Sequence, residues 1–301
     1  MAYQAYQHIM EWDLYGEHTY SKAPPIANAK ESIDILKSEI PKLPLFSASA
    51  KYVNPGEYLK VDHSIVSRAY FKMQEILHRY MNPNEKTKAL LLCEGPGGFQ
   101  QACSKFFKKL EWQALTLPNS IRWEGEDVSR VIFQDIIKDP LPRDLKVSLC
   151  TGDGGFEADP SKQEEENYTL FEAQMLKGFD CLLPEGNLVV KLFDMFQPNT
   201  QGLIMEIARR FDRAIILKPF GSRICNSERY FIGLNKRLIP KAESVTMERI
   251  HQIINDFAII QIAGLQEAVK LARVPNIPKS ILEKPSKRHI EVAEKFSNAM
   301  L

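Results

Sequence analysis

The sequence predicts an α/β protein built on one mostly parallel sheet with covered faces. Three observations carry that reading. Between Val61 and Leu238, short apolar runs alternate with stretches of helical period, the pattern of strands interleaved with crossover helices. The run Ala89-Leu90-Leu91-Leu92-Cys93 is apolar throughout and ends at glycines, as expected of a central strand buried on both faces. The 301 residues are 44% hydrophobic, ample for one large core with additions.

The elements follow in order. Residues 1–50 read as an N-terminal extension, aromatic through Tyr3, Tyr6, Trp12, Tyr15 and Tyr20 and broken by Ala23-Pro24-Pro25. A short helix is expected over Lys30 to Ile40. Residues 51–240 form the sheet domain. Ser64 to Tyr80 is helical, and Ala89 to Cys93 is the first strand. Gly97-Gly98 leads into a helix from Phe99 to Phe107. Strands follow at Ala114–Leu117, Val131–Phe133 and Val147–Cys150. A helix from Glu164 to Leu182 precedes the strand Asn187–Lys191, and a helix from Gly202 to Phe211 precedes Ala214–Leu217 and Arg229–Leu234. That makes seven strands. Only a loop joins the last two, so an antiparallel hairpin is expected at the sheet edge. Residues 241–301 read as a helical C-terminal extension. In its long helix (244–273), Ile250, Ile253, Ile254, Phe257 and Leu265 recur at helical spacing. This helix is expected to pack on the sheet domain; contact with another chain or a second copy is the alternative. Pro275 and Pro278 stop it, and an amphipathic piece follows from His289.

Composition removes several classes. The 39 basic and 38 acidic residues nearly cancel, so any nucleic-acid surface must be local. Cys93, Cys103, Cys150, Cys181 and Cys225 have no CxxC spacing and are odd in number. They read as reduced thiols of an intracellular protein, cytoplasmic or nuclear, several of them inside strands. The six histidines form no HxxxH or HxH pair, and no metal site is expected. The start lacks a basic region followed by an apolar run. Phe257 to Leu265, interrupted by Gln261, is too short to span a bilayer. A soluble protein is expected. Its compact length suits a virus-encoded or minimal enzyme. Lys284-Pro285-Ser286-Lys287-Arg288 is a weak nuclear-import pattern, read instead as a solvated linker.

Five segments carry the chemistry. Glu94-Gly95-Pro96-Gly97-Gly98-Phe99 follows a strand and opens a helix, letting backbone approach a nucleotide cofactor. The rival is the dinucleotide fingerprint, which fails at its third glycine, where Gln100 stands, and lacks an acidic residue near Leu117. The other segments are Ser67-Arg68-Ala69-Tyr70-Phe71-Lys72, Asp153-Gly154-Gly155-Phe156, Lys191-Leu192-Phe193-Asp194 and Asn226-Ser227-Glu228-Arg229-Tyr230. Taken singly, Lys72 and Lys191 read as solvated lysines, Asp153 as a turn residue and Glu228 as a surface acid. Their joint order at strand ends favours a site.

With Lys218-Pro219-Phe220-Gly221-Ser222-Arg223 leading into Asn226-Ser227-Glu228-Arg229-Tyr230, the chain resembles the FtsJ-type ribose 2′-O-methyltransferases over roughly residues 64–235. It is most similar to the eukaryotic and viral branch acting next to an mRNA cap. The resemblance implies a Rossmann-like methyltransferase fold, S-adenosylmethionine as donor, capped RNA as substrate and Lys72, Asp153, Lys191 and Glu228 as the catalytic quartet. Glu94, Gly95, Pro96, Gly97, Gly98 and Phe99 are expected along the methionine and ribose of the cofactor. Asp135 matches the position that holds the adenine, a helix cap being its alternative. The acidic ribose ligand common among relatives is missing around Leu117-Pro118-Asn119.

The chemistry independently calls for these residue types. A ribose hydroxyl is a poor nucleophile, so oxygen, methyl carbon and sulfur must be aligned and a proton removed. A lysine can accept that proton only when neutral, which requires its pKa to fall from about 10.4. Lys191 is expected to activate or orient the hydroxyl and Asp153 to orient Lys191. Lys72 and Glu228 complete the network. RNA phosphates are expected at Lys218, Arg223 and Arg229. A cap guanine needs an aromatic platform, for which the N-terminal tyrosines and Trp12 are candidates. A structured-RNA 2′-O-methyltransferase and an idle RNA-binding scaffold of the same fold are the alternatives.

Overall fold

A computed structural model describes residues 10–16, 26–59, 64–118, 122–142, 144–243, 245–275 and 277–299. Strand β1 (Glu11–Asp13) precedes helices α1 (Ile26–Glu39) and α2 (Phe46–Tyr52) and a tight helical turn, Pro55–Tyr58. The central part runs α3 (Ala69–Tyr80), β2 (Lys86–Leu92), α4 (Gly98–Phe106), β3 (Lys109–Thr116), β4 (Val131–Phe133) and β5 (Val147–Gly152). It continues with α5 (Gln163–Cys181), β6 (Leu182–Leu192), α6 (Pro198–Ala208), β7 (Phe211–Leu217) and β8 (Arg229–Lys236). Helices α7 (Met247–Ala272), α8 (Lys279–Leu282) and α9 (Lys287–Ala299) follow.

The strands form one eight-stranded sheet in the order β1-β7-β8-β6-β5-β2-β3-β4. The pairs from β4 to β6 are parallel. β8 is antiparallel to both β6 and β7. The expected antiparallel pairing of the last two strands is present, while the expected count of seven strands rises to eight and the outermost place goes to β1. β8 sits inside the sheet, and β1 pairs antiparallel with the outer side of β7. An open β7 would leave a row of unpaired backbone groups. Glu11-Trp12-Asp13 escapes notice in sequence because two of its three residues are poor strand formers.

Boundaries shift for local reasons. Residues 64–68 precede α3 rather than opening it, and α1 begins at Ile26. α6 starts at Pro198, whose fixed φ suits a first helical turn. β6 begins at Leu182 and passes through Pro184-Glu185-Gly186, which reads as a turn. Of the cysteines, only Cys150 lies within a strand, and all five are free thiols. Of the expected linker at 284–288, residues 284–286 join α8 to α9 and residues 287–288 open α9; the Ser286 hydroxyl accepts the His289 N–H at 3.2 Å.

Strand alternation distributes the core. Leu90, Leu92, Leu188, Val190 and Phe231 belong to one buried layer with Met175 of α5, Ile204 of α6 and Phe257 of α7. Ala89, Leu91, Val189, Tyr230 and Ile232 belong to the other, with Met73 and Ile76 of α3 and Phe99 of α4. Two covered faces explain the uninterrupted apolar run in β2. Helix α7 joins the core through Ile250, Ile253, Ile254 and Phe257, as its periodicity predicts. Its Ala258, Leu265 and Ala268 share a cluster with Ile33 of α1 and Ala50 of α2. Among the described residues, no helix is long and apolar enough to cross a membrane.

From β2 the chain moves outward to β3 and β4, then returns across β2 to β5. The carboxyl ends of β2 and β5 thus flank a topological switch point, where open α/β sheets bind ligands.

Candidate active site

A cavity of about 600 Å³ opens at this switch point. Cys93 and Gly95 line it from the end of β2, and Leu117, Asp135 and Ile136 from beyond β3 and β4. Asp153, Gly155, Phe156 and Lys191 close it on the side of β5 and β6. Gly97 adopts φ 121°, and a Cβ there would meet the Gly125 Cα at 2.8 Å. The turn therefore requires glycine at this position.

The expected cofactor segment divides in two. Gly95 and Asp135 line the cavity, whereas Pro96, Gly97 and Gly98 build the turn behind it. Phe99 is buried in the core, its ring centroid 6.0 Å from that of Tyr230. Glu94 is buried and accepts the Gln100 N–H at 2.8 Å. Burial pushes its carboxyl up to about 8, although backbone N–H donors oppose the shift. Glu94 thus organises the start of α4 instead of forming the cavity wall. No helix starts at Asp135: its carboxylate accepts the Ile137 N–H at 2.9 Å within a turn, and the residue borders the cavity. That hydrogen bond is the main reason its pKa lies below the usual range.

The quartet converges beside the cavity. Lys72 Nζ lies 2.6 Å from Glu228 Oε1. Lys191 Nζ donates to the Asp153 carbonyl at 2.5 Å and lies 3.4 Å from its Oδ1. Tyr230, for which no role is expected from sequence, joins the two pairs. Its hydroxyl donates to Asp153 Oδ1 at 2.7 Å and stands 3.3 Å from Glu228 Oε1. Lys191 pairs with Tyr230 across the β6–β8 ladder, and both fall in phase with Val189 and Ile232 on the face covered by α3. Lys72 projects from that helix.

Electrostatics follow from this packing. Burial works against the charge of Lys72, but Glu228 and then Asp153 outweigh it, and its pKa rises above that of an ordinary lysine. Burial likewise opposes ionisation of Glu228, yet Lys72 and Lys191 hold it down to about 2. Burial, reinforced by both carboxylates, keeps Tyr230 a neutral phenol. Lys72 and Glu228 therefore form a charged pair near neutral pH.

Two expected RNA contacts are corrected. Lys218 is buried, and its ammonium donates to the Asn226 and Glu228 carbonyls, each at 2.7 Å, and to Asn226 Oδ1 at 2.6 Å. Burial, with the nearby Arg229 cation, lowers its pKa to about 7. It anchors the loop carrying Glu228. Arg229 points to the opposite sheet face, bonded to Asp194 at 3.0 Å and 4.2 Å from the Phe257 ring centroid. Neither cation reaches a surface phosphate. Arg223 is half-exposed and donates from Nε to Glu57 at 2.9 Å.

Trp12 lies against Phe257 and donates to Asp256 at 2.9 Å, so it serves the core. Tyr15 lies beneath the Lys241 ammonium at 4.0 Å, whereas Tyr3, Tyr6 and Tyr20 lie outside the described residues. Two amides of α5, not expected from sequence, also serve the site. Gln174 accepts the Gly154 N–H at 2.8 Å and Asn167 accepts the Phe156 N–H at 2.5 Å, holding the loop after Asp153. Buried amides on a helix give no distinctive sequence signal.

The FtsJ-like methyltransferase family pattern matches residues 65–236. A probable methyltransferase of African swine fever virus is 28% identical over 315 residues, covering 85% of this chain and 74% of that protein. Versions from other isolates of that virus are matched over 58% of their length. A cap-specific mRNA (nucleoside-2′-O-)-methyltransferase of Autographa californica nuclear polyhedrosis virus is 26% identical, covering 69% of this chain and 86% of that protein. A Trypanosoma brucei brucei cap-specific mRNA (nucleoside-2′-O-)-methyltransferase 1 is 30% identical, covering 54% of this chain and 50% of that protein. With a match across more than half its length, the chain belongs to the FtsJ-like methyltransferase family.

Proposed function

We propose that this protein transfers a methyl group from S-adenosylmethionine to the ribose 2′-hydroxyl of a cap-proximal mRNA nucleotide, the first transcribed one. The carrying observation is the linkage of Lys72–Glu228 and Lys191–Asp153 by Tyr230 at the edge of the switch-point cavity. The names of the nuclear polyhedrosis virus and trypanosomal relatives support the capped substrate.

The cavity suits the donor. Apolar Leu117 and Ile136 with the Asp135 carboxylate offer an adenine and ribose site, and Gly95 allows close backbone approach. The bound donor supplies an electrophilic methyl on a cationic sulfur. Lys191 borders the same cavity and is the group that orients the hydroxyl and takes its proton. Asp153 holds that amine, while the Lys72–Glu228 pair fixes the other wall. Tyr230 sets the distance between the two pairs. Holding the reactants in line is the largest contribution such a site can make. Arg223 contacts an RNA phosphate.

The test is to map labelled methyl on short transcripts of one sequence, with and without a cap. Label confined to the first ribose of capped RNA is expected. Equal rates on both transcripts would replace cap dependence by a structured-RNA substrate. RNA binding without any transfer would leave only a scaffold.

A further inference from the structure

Helix α3 meets the loop between β7 and β8 at two points. At the first, Lys72 pairs with Glu228 at 2.6 Å. At the second, further along the same helix, stands Glu75, a buried carboxylate that the chemistry above does not use. Its Oε2 accepts the Phe220 N–H at 2.7 Å, and its Oε1 pairs with Arg79 at 2.7 Å. Burial raises this carboxyl to about 7, with Arg79 and the Phe220 N–H opposing the shift. A buried acid is a costly way to fill space, so its presence answers a specific need. Phe220 is itself buried, and a buried backbone N–H requires an acceptor.

The contacts close a ring. Pro219 to Ser222 form a turn, in which the Ser222 N–H donates to the Pro219 carbonyl at 2.9 Å. The Ser222 hydroxyl reaches the Glu228 carbonyl at 3.3 Å, and the Glu228 carboxylate returns to Lys72. Within the turn, Gly221 lies along the Lys72 stem, where a Cβ would come 3.4 Å from Lys72 Cγ. The Phe220 carbonyl abuts Gly56 so closely that a Cβ there would stand 2.2 Å from it. The Phe220 peptide is thus held on both sides, its N–H by Glu75 and its carbonyl by the 55–58 turn. We infer that Glu75 is a positioning residue for methyl transfer: through Phe220 it fixes the 219–222 turn, and with it the meeting of Glu228 and Lys72. The assignment rests on the methyl-transfer reading above. Reach, rather than charge, is what this role demands of the side chain.

Two mild substitutions separate reach from charge. Glu75→Asp keeps the acid but withdraws it by one methylene. Glu75→Gln keeps the length and an acceptor for Phe220 but loses the charge facing Arg79. S-adenosylhomocysteine titration by calorimetry counts the folded sites, since no member of the ring lines the donor cavity. Per folded site, Glu75→Asp should lower kcat by about 10–10²-fold, because a misplacement of about 1 Å can cost that much. Its KM for the methyl donor should hold, and Glu75→Gln should keep most of its turnover. Wild-type kcat in Glu75→Asp, or an equally large loss in Glu75→Gln, would overturn the role. In the wild type, the Phe220 amide should resist hydrogen exchange as strongly as those of the central strands. Exchange as fast as in an open loop would overturn the role whether or not the variants fold. A wild type that transfers no methyl would overturn the methyl-transfer reading as well.

Discussion

Two charge networks lie back to back on the ends of β6 and β8, and they differ in wetness. On the α3 face, the side chains of Lys72, Glu228, Lys191 and Asp153 keep 14–16% of their surface exposed beside a cavity. On the α7 face, Asp194 lies between Lys37 and Arg229, and these three keep only 3–7%. Neighbouring residues supply both networks, because Glu228 and Arg229 leave the chain toward opposite faces. The wetter network keeps ions that can meet a substrate. The dry one clasps α1, the end of β6 and the start of β8 together. A buried ion pair gains little net stability, but losing one partner is costly. One network is thus suited to chemistry and the other to position.

Breaking the contrast at Lys191 gives the largest expected effect. Lys191→Ala should lower methyl transfer by about 10²–10⁴-fold, with little change in the urea unfolding midpoint. Unchanged turnover would remove Lys191 from the chemistry. On the other face, Asp194→Asn leaves two buried cations without their acid and should cost about 3–5 kcal/mol. Denaturant titration beside Glu228→Gln sharpens the comparison, since the wetter site should lose less. Equal losses would mean that the difference in exposure has no energetic meaning. Tyr230→Phe deletes the hydroxyl between the two pairs and should cost about 1–3 kcal/mol. Its kcat should fall while the KM for the methyl donor holds; a change in that KM alone would place Tyr230 with the donor instead.

The smallest effect is a pair of opposite pH dependences. Glu228 titrates in the folded protein near 2, below its unfolded value, so its stabilisation is complete above about pH 4.5 and is lost as pH falls toward 2. Glu94 titrates near 8, above its unfolded value. The folded state then binds the extra proton, and stability declines as pH rises from about 4.5 to 8. Glu94→Gln should therefore stabilise the protein at pH 8 and have little effect at pH 5, as read by thermal unfolding. A uniform change at both pH values would contradict that assignment.

Much of the fold was legible because local pattern reports burial. The apolar β2 run and the spacing of Ile250, Ile253 and Phe257 correspond to a two-faced central strand and a core-facing helix. β1 was not legible, since Glu11-Trp12-Asp13 becomes a strand only where the edge of β7 needs pairing. The corrections at Lys218 and Arg229 have a similar cause. A basic residue in a loop or at a strand end reads as solvated, and only α7 and the 226–228 loop bury these two.

By itself the sequence determined which residue types stand at the ends of β2, β5 and β6, because composition and period are local properties of the polymer. Tertiary structure alone decided which charges meet, which are sealed away and that Tyr230 ties them together. Residues 72, 153, 191 and 228 are far apart along the chain, and their electrostatics depend on distances and burial that only packing sets.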